Sequence, residues 1–423
     1  MNLDQLTVAE VLANHQFKIR VAIADVDAVV KKGSAIDQHA EKNTTSVYTG
    51  VTMFPMLPEK LSTDLTSLSP HQVRIAMVID MIINKQGIVE SSSLIRAKVK
   101  NQAKLTYDGV SAWLDGEAPL PEAAQHLEGL DTQLRIQDQV ATHLKELRLS
   151  QGALDFETIE PRAVLKDGMI TELRHEKKNR ARTIIEEFMV AANGVTARYL
   201  TQSGYPSIRR VVRSPERWER IIQVAATYGE QLPSDPDSRA LGHFLTQQRQ
   251  LDPLRFPDLS LTIVKLLGRG EYVLTMPEED SAGHFGLAVQ TYSHSTAPNR
   301  RFPDIITQRL LKAALQKAPI PYDINTLSWL ASHCTNQEIA AEKVERQVRK
   351  SASALLLSSK IGQHFEGIIT GTSDKGTWAR LFYPPVEGKL IHPHKGLDIG
   401  DKVHLKLVHV NVDRGFIDFR QVH

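Results

Sequence analysis

The sequence predicts an α+β protein: a mixed sheet backed by helices, followed by a small all-β barrel of the OB type. Three observations carry this. Residues 1–115 are dense in β-branched runs bounded by turn residues. Much of the chain from Pro119 to residue 355 places apolar side chains at helical spacing. Beyond Ser358 the pattern switches to short strands separated by turns.

Along the chain, RVAIADVDAVV and VRIAMVIDMII read as buried strands bounded by KKG, SLSP and NKQG. SLIRAKVKNQAKLTYDGVSAWL reads as a strand running into a helix. Pro119 to Ser150 reads as helix, with Leu127, Leu130, Leu134 and Ile136 near helical spacing. DFETIEPRAVLKDGMITEL reads as two strands around an Asp-Gly turn. In RTIIEEFMVAANGVTARYL, Ile184, Ile185, Phe188, Met189, Ala192 and Val195 form one apolar helix face, with Thr183 as the N-cap. Residues 215–355 read as mostly helical, with HFGLAVQTYSHS as a strand leading into the loop STAPNRRFPD. The barrel strands are HFEGIITGT, GTWARLF, VEGKLI, DKVHLKLVHVNV and GFIDFRQ. Phe365, Trp378, Phe382 and Arg380 are candidates for a nucleic-acid-binding face. Strand alternation makes barrel core the equal alternative for the aromatics.

Bulk properties bound the function. A chain of 423 residues suits two or three domains with a large core. Its 41% hydrophobic and 24% charged content excludes a disordered chain. With a net charge of only +2, a phosphate-binding surface must come from local patches. The single cysteine, Cys334, excludes an internal disulfide and a cysteine-based zinc site. There is no run of about 18 apolar residues and no basic-then-apolar leader. The expectation is a cytoplasmic protein with no membrane partner.

Two basic clusters bear on a phosphate ligand. RHEKKNRAR holds Arg174, Lys177, Lys178, Arg180 and Arg182 just before a helix start, where cations oppose the helix dipole. A solvated face is the commoner reason for such a run. Arg300 and Arg301 lie in a Pro-punctuated loop before a helix expected near Pro303. Unpaired helix N–H groups and guanidinium forks both favour phosphate there. Asp304 reads as a first-turn acid complementing the dipole. His284, His392 and His394 are not read as metal ligands.

Taken together, RVAIADV, TTSVYTGVTMFPMLPEKLSTDLTSL, QAKLTYDGV, IIEEFMVAANGVTARYL, GHFGLAVQTYSHSTAPNRRFPD and the C-terminal barrel resemble the ribonuclease II family, whose catalytic module is the RNB domain. The resemblance covers nearly the whole chain. It implies an RNB-type catalytic module over 1–355, N-terminally incomplete, and an OB-fold RNA-binding barrel over 356–423. It also implies a processive, hydrolytic 3′-to-5′ exoribonuclease that acts on single-stranded RNA and releases nucleoside monophosphates. The implied cofactor is Mg²⁺, with Mn²⁺ as the substitute. The implied partner is single-stranded RNA, and no protein partner is predicted.

Carried over by position, the resemblance makes Arg300 the catalytic arginine, with Arg301 beside it on the RNA. Tyr48 becomes an aromatic RNA contact. Tyr107 and Phe156 stack on bases near the 3′ end, and Glu186 or Glu187 reaches the terminal ribose. Strand packing for the tyrosines and core for Phe156 are the alternatives. The family usually has Ser-Pro-Ile-Arg-Arg-Tyr where this chain has Ala297-Pro298-Asn299-Arg300-Arg301-Phe302.

The opening MNLDQL aligns on the family's metal loop, an Asp followed after a gap by Asp-X-Asp-Asp. Asn2 stands at the first Asp of that cluster, Asp4 keeps the second, and Gln5 replaces the third. The chain opens inside this loop. Asn and Gln offer a carbonyl oxygen but no charge, so Mg²⁺ is expected to be weakly held and to arrive with substrate phosphates. This motivates an alternative reading: an RNA-binding, catalytically impaired relative. A generic OB-barrel protein, with no affinity for single-stranded RNA, is the third.

Overall fold

The computed structural model describes residues 3–157, 161–166, 169–175, 178–280, 282–373, 376–391, 396–397 and 399–422. β1 (Gln5–Val11) and β2 (Phe17–Ala24) open the chain, followed by α1 (Ala35–Asn43) and a short hairpin, β3 (Val47–Tyr48) and β4 (Met53–Phe54). β5 (Val73–Ile83) and β6 (Val89–Lys100) complete a sheet of order β1-β2-β5-β6. Its strands, expected to form a mixed sheet, pair antiparallel throughout. Alternation in the β2 and β5 sequences sends Ile19, Val21, Ile23, Ile79, Met81 and Ile83 into the main core.

α2 (Tyr107–Leu114), α3 (Glu122–Gln125) and α4 (Leu130–Ser150) follow. The helix expected over 119–150 is therefore broken, at Gly129, whose φ of 76° leaves the helical region. Along β1, the Gln133 side chain stands in for a neighbouring strand. Its Oε1 accepts from the Ala9 N–H at 2.7 Å, while its Nε2 donates to the Ala9 carbonyl. The Gln137 Oε1 accepts from Thr7 Oγ1 at 2.6 Å. The Gln133 amide thereby satisfies the Ala9 main-chain groups of an edge that would otherwise be open to pairing.

β7 (Pro161–Lys166) and β8 (Met169–His175) form the expected hairpin, with its Asp-Gly turn outside the described residues. α5 (Arg180–Gln202) starts earlier than the sequence suggests. Asn179, not Thr183, caps it, its side chain accepting from the Arg182 N–H at 3.0 Å. Ile184, Phe188, Ala192 and Val195 of this helix join the main core.

β9 (Ser207–Val211) pairs with β10 (Glu271–Thr275), and between them lie α6 (Trp218–Thr227), α7 (Ser238–Leu251) and α8 (Phe256–Leu267). These three helices share a separate core around Trp218, Ile221, Phe244, Phe256 and Ile263. HFGLAVQTYSHS is not the strand its apolar run suggests. Ala288 turns the backbone at φ 53°, and beyond it the Tyr292 carbonyl accepts from the Arg210 N–H at 2.9 Å. α9 (Phe302–Gln316) is buried on almost every face, and α10 (Ile324–Ser358) runs from it to the barrel.

β11 (His364–Ser373), β12 (Gly376–Leu381), β13 (Glu387–Leu390), β14 (Lys402–Asn411) and β15 (Phe416–Val422) close as β11-β12-β13-β15-β14. Ile369, Leu381, Leu390, Leu405 and Phe419 fill the barrel, with Phe365 packed partly against them. Trp378 is half-buried, and Phe382 is exposed beside Tyr383. Arg380 is not on an RNA-binding face. It is buried, and its guanidinium donates to Asp258 of α8 at 2.9 Å, joining barrel to helices.

Candidate active site

Asp4 immediately precedes β1, at the end of the sheet. Its carbonyl accepts from the Ala24 N–H at 3.0 Å, and Leu3 is pinned on both sides by residues 67 and 68. The Asp4 side chain is 8% exposed. Across from it stands Arg300, in the loop that enters α9. Arg300 Nε donates to Asp4 Oδ2 at 3.2 Å, joining positions 296 residues apart. The Arg300 carbonyl accepts from the Ser46 N–H at 3.0 Å, and the Phe302 N–H donates to Thr44 at 2.7 Å. The arginine loop is thus zipped to the segment before β3, while the Arg300 side chain stays 40% exposed.

Asp4 Oδ1 is buried and has no hydrogen-bond partner. Burial pushes the carboxyl above its ordinary pKa, and Arg300, with Arg301 behind it, pulls only part of the way back. Tyr48 stands beside this pair, 43% exposed, with its backbone N–H donating to Glu345 of α10 at 2.7 Å. Burial raises its phenol pKa, opposed by Arg300 and reinforced by Asp4.

Arg301 turns the other way. Its guanidinium donates at 2.8 Å to Asp304, which is fully buried and also accepts from the Ala297 N–H at 2.7 Å. Asp304 therefore does more than complement the helix dipole: it shapes the loop that presents Arg300.

The two glutamates have different environments. Glu187 is buried and takes both oxygens to Arg148 of α4, at 2.8 and 2.5 Å. Glu186 is exposed on the adjacent helix face. Glu187→Gln is expected to destabilise the fold by roughly 3 kcal/mol, because it strands a buried guanidinium. Glu186→Gln should change stability by less than about 0.5 kcal/mol. Chemical denaturation of the two variants checks this.

Tyr107 begins α2, with the Arg182 guanidinium over its ring at 5.0 Å. Phe156 is half-buried against the α6–α8 core. Its neighbour Asp155 anchors that segment through Arg249 at 2.8 Å, Lys178 at 3.0 Å and Lys145 at 3.1 Å. Burial disfavours the Asp155 charge, but the three cations outweigh it and hold its pKa well below the usual carboxylate range. A depressed acid contributes stability above its unfolded pKa of about 3.9 and loses it as pH falls toward the folded value. Asp155→Asn should cost roughly 1–3 kcal/mol at neutral pH, discounted for the exposed lysines. The loss should shrink on acidification, as followed by thermal melts between neutral and acidic pH.

These contacts also change the reading of the basic run. Lys178 is tied to Asp155, and Arg180 to Asp115 at 3.1 Å and to Asp138. These members are neutralised locally rather than presented to a phosphate. Sequence reasoning does not single out Arg148, Asp155 or Asn299, because their roles rest on partners distant in the chain.

The residues present fit a hard divalent cation in a limited sense. The unpaired, buried Asp4 Oδ1 is an oxygen donor of the right kind. Gln5 is half-buried at the start of β1, and Asn2 lies outside the described residues. Among the described residues, no group of three or more His, Cys, Asp or Glu is placed to hold a metal. The remaining oxygens would have to come from substrate phosphates and water, as is usual for Mg²⁺.

The RNB domain family matches residues 1–317, and the RNase II-type exonuclease C-terminal S1 domain matches 363–422. Ribonuclease R 1 of Lactococcus lactis is 29% identical over 450 residues, covering 99% of this chain and 54% of that protein. Ribonuclease R of Aquifex aeolicus is 27% identical over 461 residues, covering 100% of this chain and 62% of that protein. The chain thus spans little more than half the length of these relatives. Among solved structures, Mycoplasma genitalium RNase R in complex with ribose-methylated single-stranded RNA superposes with a TM-score of 0.87 at 24% identity, covering 100% of this chain and 69% of that one. Yeast Ssd1, described as a pseudonuclease, gives a TM-score of 0.74 at 16% identity, covering 95% of this chain and 49% of that one. The fold is therefore shared, and the site residues carry the argument about chemistry. With an RNB match over three-quarters of its length and an RNase II-type S1 barrel behind it, this chain belongs to the RNB-domain, ribonuclease II-type family.

Proposed function

We propose that this chain is a hydrolytic 3′-to-5′ exoribonuclease acting on single-stranded RNA and releasing nucleoside monophosphates. The observation that carries this reading is the meeting of Asp4 and Arg300 at 3.2 Å, beside the exposed Tyr48. A carboxylate with a free oxygen, a guanidinium and an aromatic face are what a phosphodiester, its charge and its base require. In the reaction, water attacks phosphorus and the bond to the ribose 3′ oxygen breaks. Arg300 stabilises the charge that grows on the phosphoryl oxygens. Asp4, with Gln5, would hold a divalent ion, Mg²⁺ or Mn²⁺, which when bound supplies Lewis acidity and a more acidic water. Tyr48, Tyr107 and Phe156 stack on unpaired bases, which favours single strands. Glu186, exposed where Glu187 is buried, accepts from the terminal ribose hydroxyls and so reads RNA rather than DNA. Arg301 acts through Asp304 on the loop. The barrel adds Phe382, Tyr383 and Phe416, all exposed, as stacking surface. Among the described residues no helix is long and apolar enough to cross a membrane, and the reading places the chain in the cytoplasm with its RNA.

The test uses the chain with 5′-end-labelled single-stranded RNA, first in Mg²⁺ and then in Mn²⁺. Stepwise shortening from the 3′ end, with monophosphate release, is expected. Binding without shortening in either metal overturns the enzymatic reading and leaves an RNA-binding relative. No binding removes both.

A further inference from the structure

Asn299 lies immediately before Arg300 and is fully buried. Its side-chain Nδ2 donates to two backbone carbonyls, Thr66 at 3.1 Å and Ser62 at 3.3 Å. These carbonyls flank the end of a π-helical turn, Lys60–Leu65, which closes when the Thr66 N–H donates to Leu61 at 3.1 Å. The next two residues grip the opening of the chain. Ser67 Oγ accepts from the Leu3 N–H at 3.0 Å, and the Leu68 N–H donates to the Leu3 carbonyl at 2.9 Å. Leu3 precedes Asp4, and Asp4 meets Arg300 at 3.2 Å. The contacts therefore form a closed circuit: Asp4, Leu3, residues 66–68, Asn299, Arg300 and back to Asp4.

We propose that Asn299 is a positioning residue that sets the register between Arg300 and Asp4 by bonding the arginine loop to the segment that holds Asp4. Without its two bonds, the loop and the chain opening would still touch the same core. The loop would keep its main-chain bonds to residues 44 and 46 but lose its direct tie to residues 62–66, whose neighbours hold Leu3 and so place Asp4 against the Arg300 guanidinium. A side chain at this position without an N–H donor could make neither bond. The amide leaves its own Oδ1 buried and unpaired. Such a group is costly and needs a return elsewhere. In the structure that return is the capture of two carbonyls that would otherwise lack this partner.

The inference rests on the proposed ribonuclease reading only for its kinetic arm. Asn299→Leu, of similar size and unable to donate, is the informative variant. In the protein without RNA, the ¹⁵N–¹H signal of Arg300 Nε, assigned by its loss in Arg300→Lys, is expected to be shifted by Asp4 and to move to the solvent-exposed position in Asn299→Leu. In the kinetic arm, Asn299→Leu should lower kcat roughly tenfold to a hundredfold with RNA affinity within a few-fold. In an Arg300→Ala background the same change should cost nothing further in kcat, because it acts through Arg300. An unmoved Nε signal overturns the proposal. So does a kcat loss that persists in the Arg300→Ala background. If the unmodified chain proves inactive on RNA, the ribonuclease reading fails and the Nε signal alone decides the role of Asn299. Ser67→Ala, which opens the circuit on the opposite side, should move the same signal in the same direction, and its failure to do so also overturns the circuit.

Discussion

Asp4→Asn is expected to slow RNA shortening by at least roughly a hundredfold while leaving RNA affinity within a few-fold. The substitution keeps the shape and an oxygen for Arg300 Nε. What disappears is the charge with which Asp4 would hold a divalent ion in the proposed reaction. The same variant should be no less stable than the parent, and more stable at neutral pH. Burial raises the Asp4 pKa in the folded protein, so the native state prefers the protonated acid. By linkage, the native state binds more protons than the unfolded chain over that interval. Stability therefore falls as pH rises from about 3.9 through the raised value. Asn carries no such cost, so the difference in melting temperature between the two proteins should open with rising pH. Single-turnover kinetics, RNA binding and paired thermal melts at several pH values check both halves. A large loss of activity together with a gain in stability would identify a residue retained for chemistry. An Asp4→Asn protein that shortens RNA at the parent rate would remove Asp4 from the site.

Arg300→Ala should reduce kcat by about 10²–10³, the usual cost of removing one preorganised donor to a developing oxyanion. The backbone of the loop should persist, since Ser46 and Thr44 bond to main-chain groups and Asp304 holds Arg301 and the Ala297 N–H. The effect should therefore fall on turnover more than on binding or melting temperature. Arg300→Lys should recover little, because a point charge on a flexible stem lacks the planar fork that meets Asp4 through Nε and phosphate through its terminal nitrogens. Equal losses in binding and turnover would instead make Arg300 a general phosphate contact.

Much of the architecture is legible in local sequence pattern. The β-branched runs of β2 and β5, the 3.6-residue stripe of α5 and the short barrel strands each follow from local spacing, because each must bury one face. Errors sit where tertiary contacts override pattern. The helix start moved from Thr183 to Asn179, since Asn179 finds the Arg182 N–H. HFGLAVQTYSHS carries strand-like residues but is bent at Ala288 and paired to β9 through Tyr292. Arg380 looked like an RNA contact because its partner, Asp258, is 122 residues away.

The fold class and the five-stranded barrel follow from local spacing and residue type, whereas the candidates Asp4, Tyr48, Tyr107, Phe156, Glu186, Glu187, Arg300 and Arg301 follow from the resemblance to the ribonuclease II family. Which of those groups meet is set by the folded chain. It gave Glu187 to Arg148 and left Glu186 in solvent, turned Arg301 inward to Asp304 while Arg300 faced Asp4, and closed the loop through Asn299. Such choices depend on ion pairs and hydrogen bonds whose partners lie from three residues apart, for Arg301 and Asp304, to 296 apart, for Arg300 and Asp4. Burial makes those bonds strong, and chain order carries no record of them.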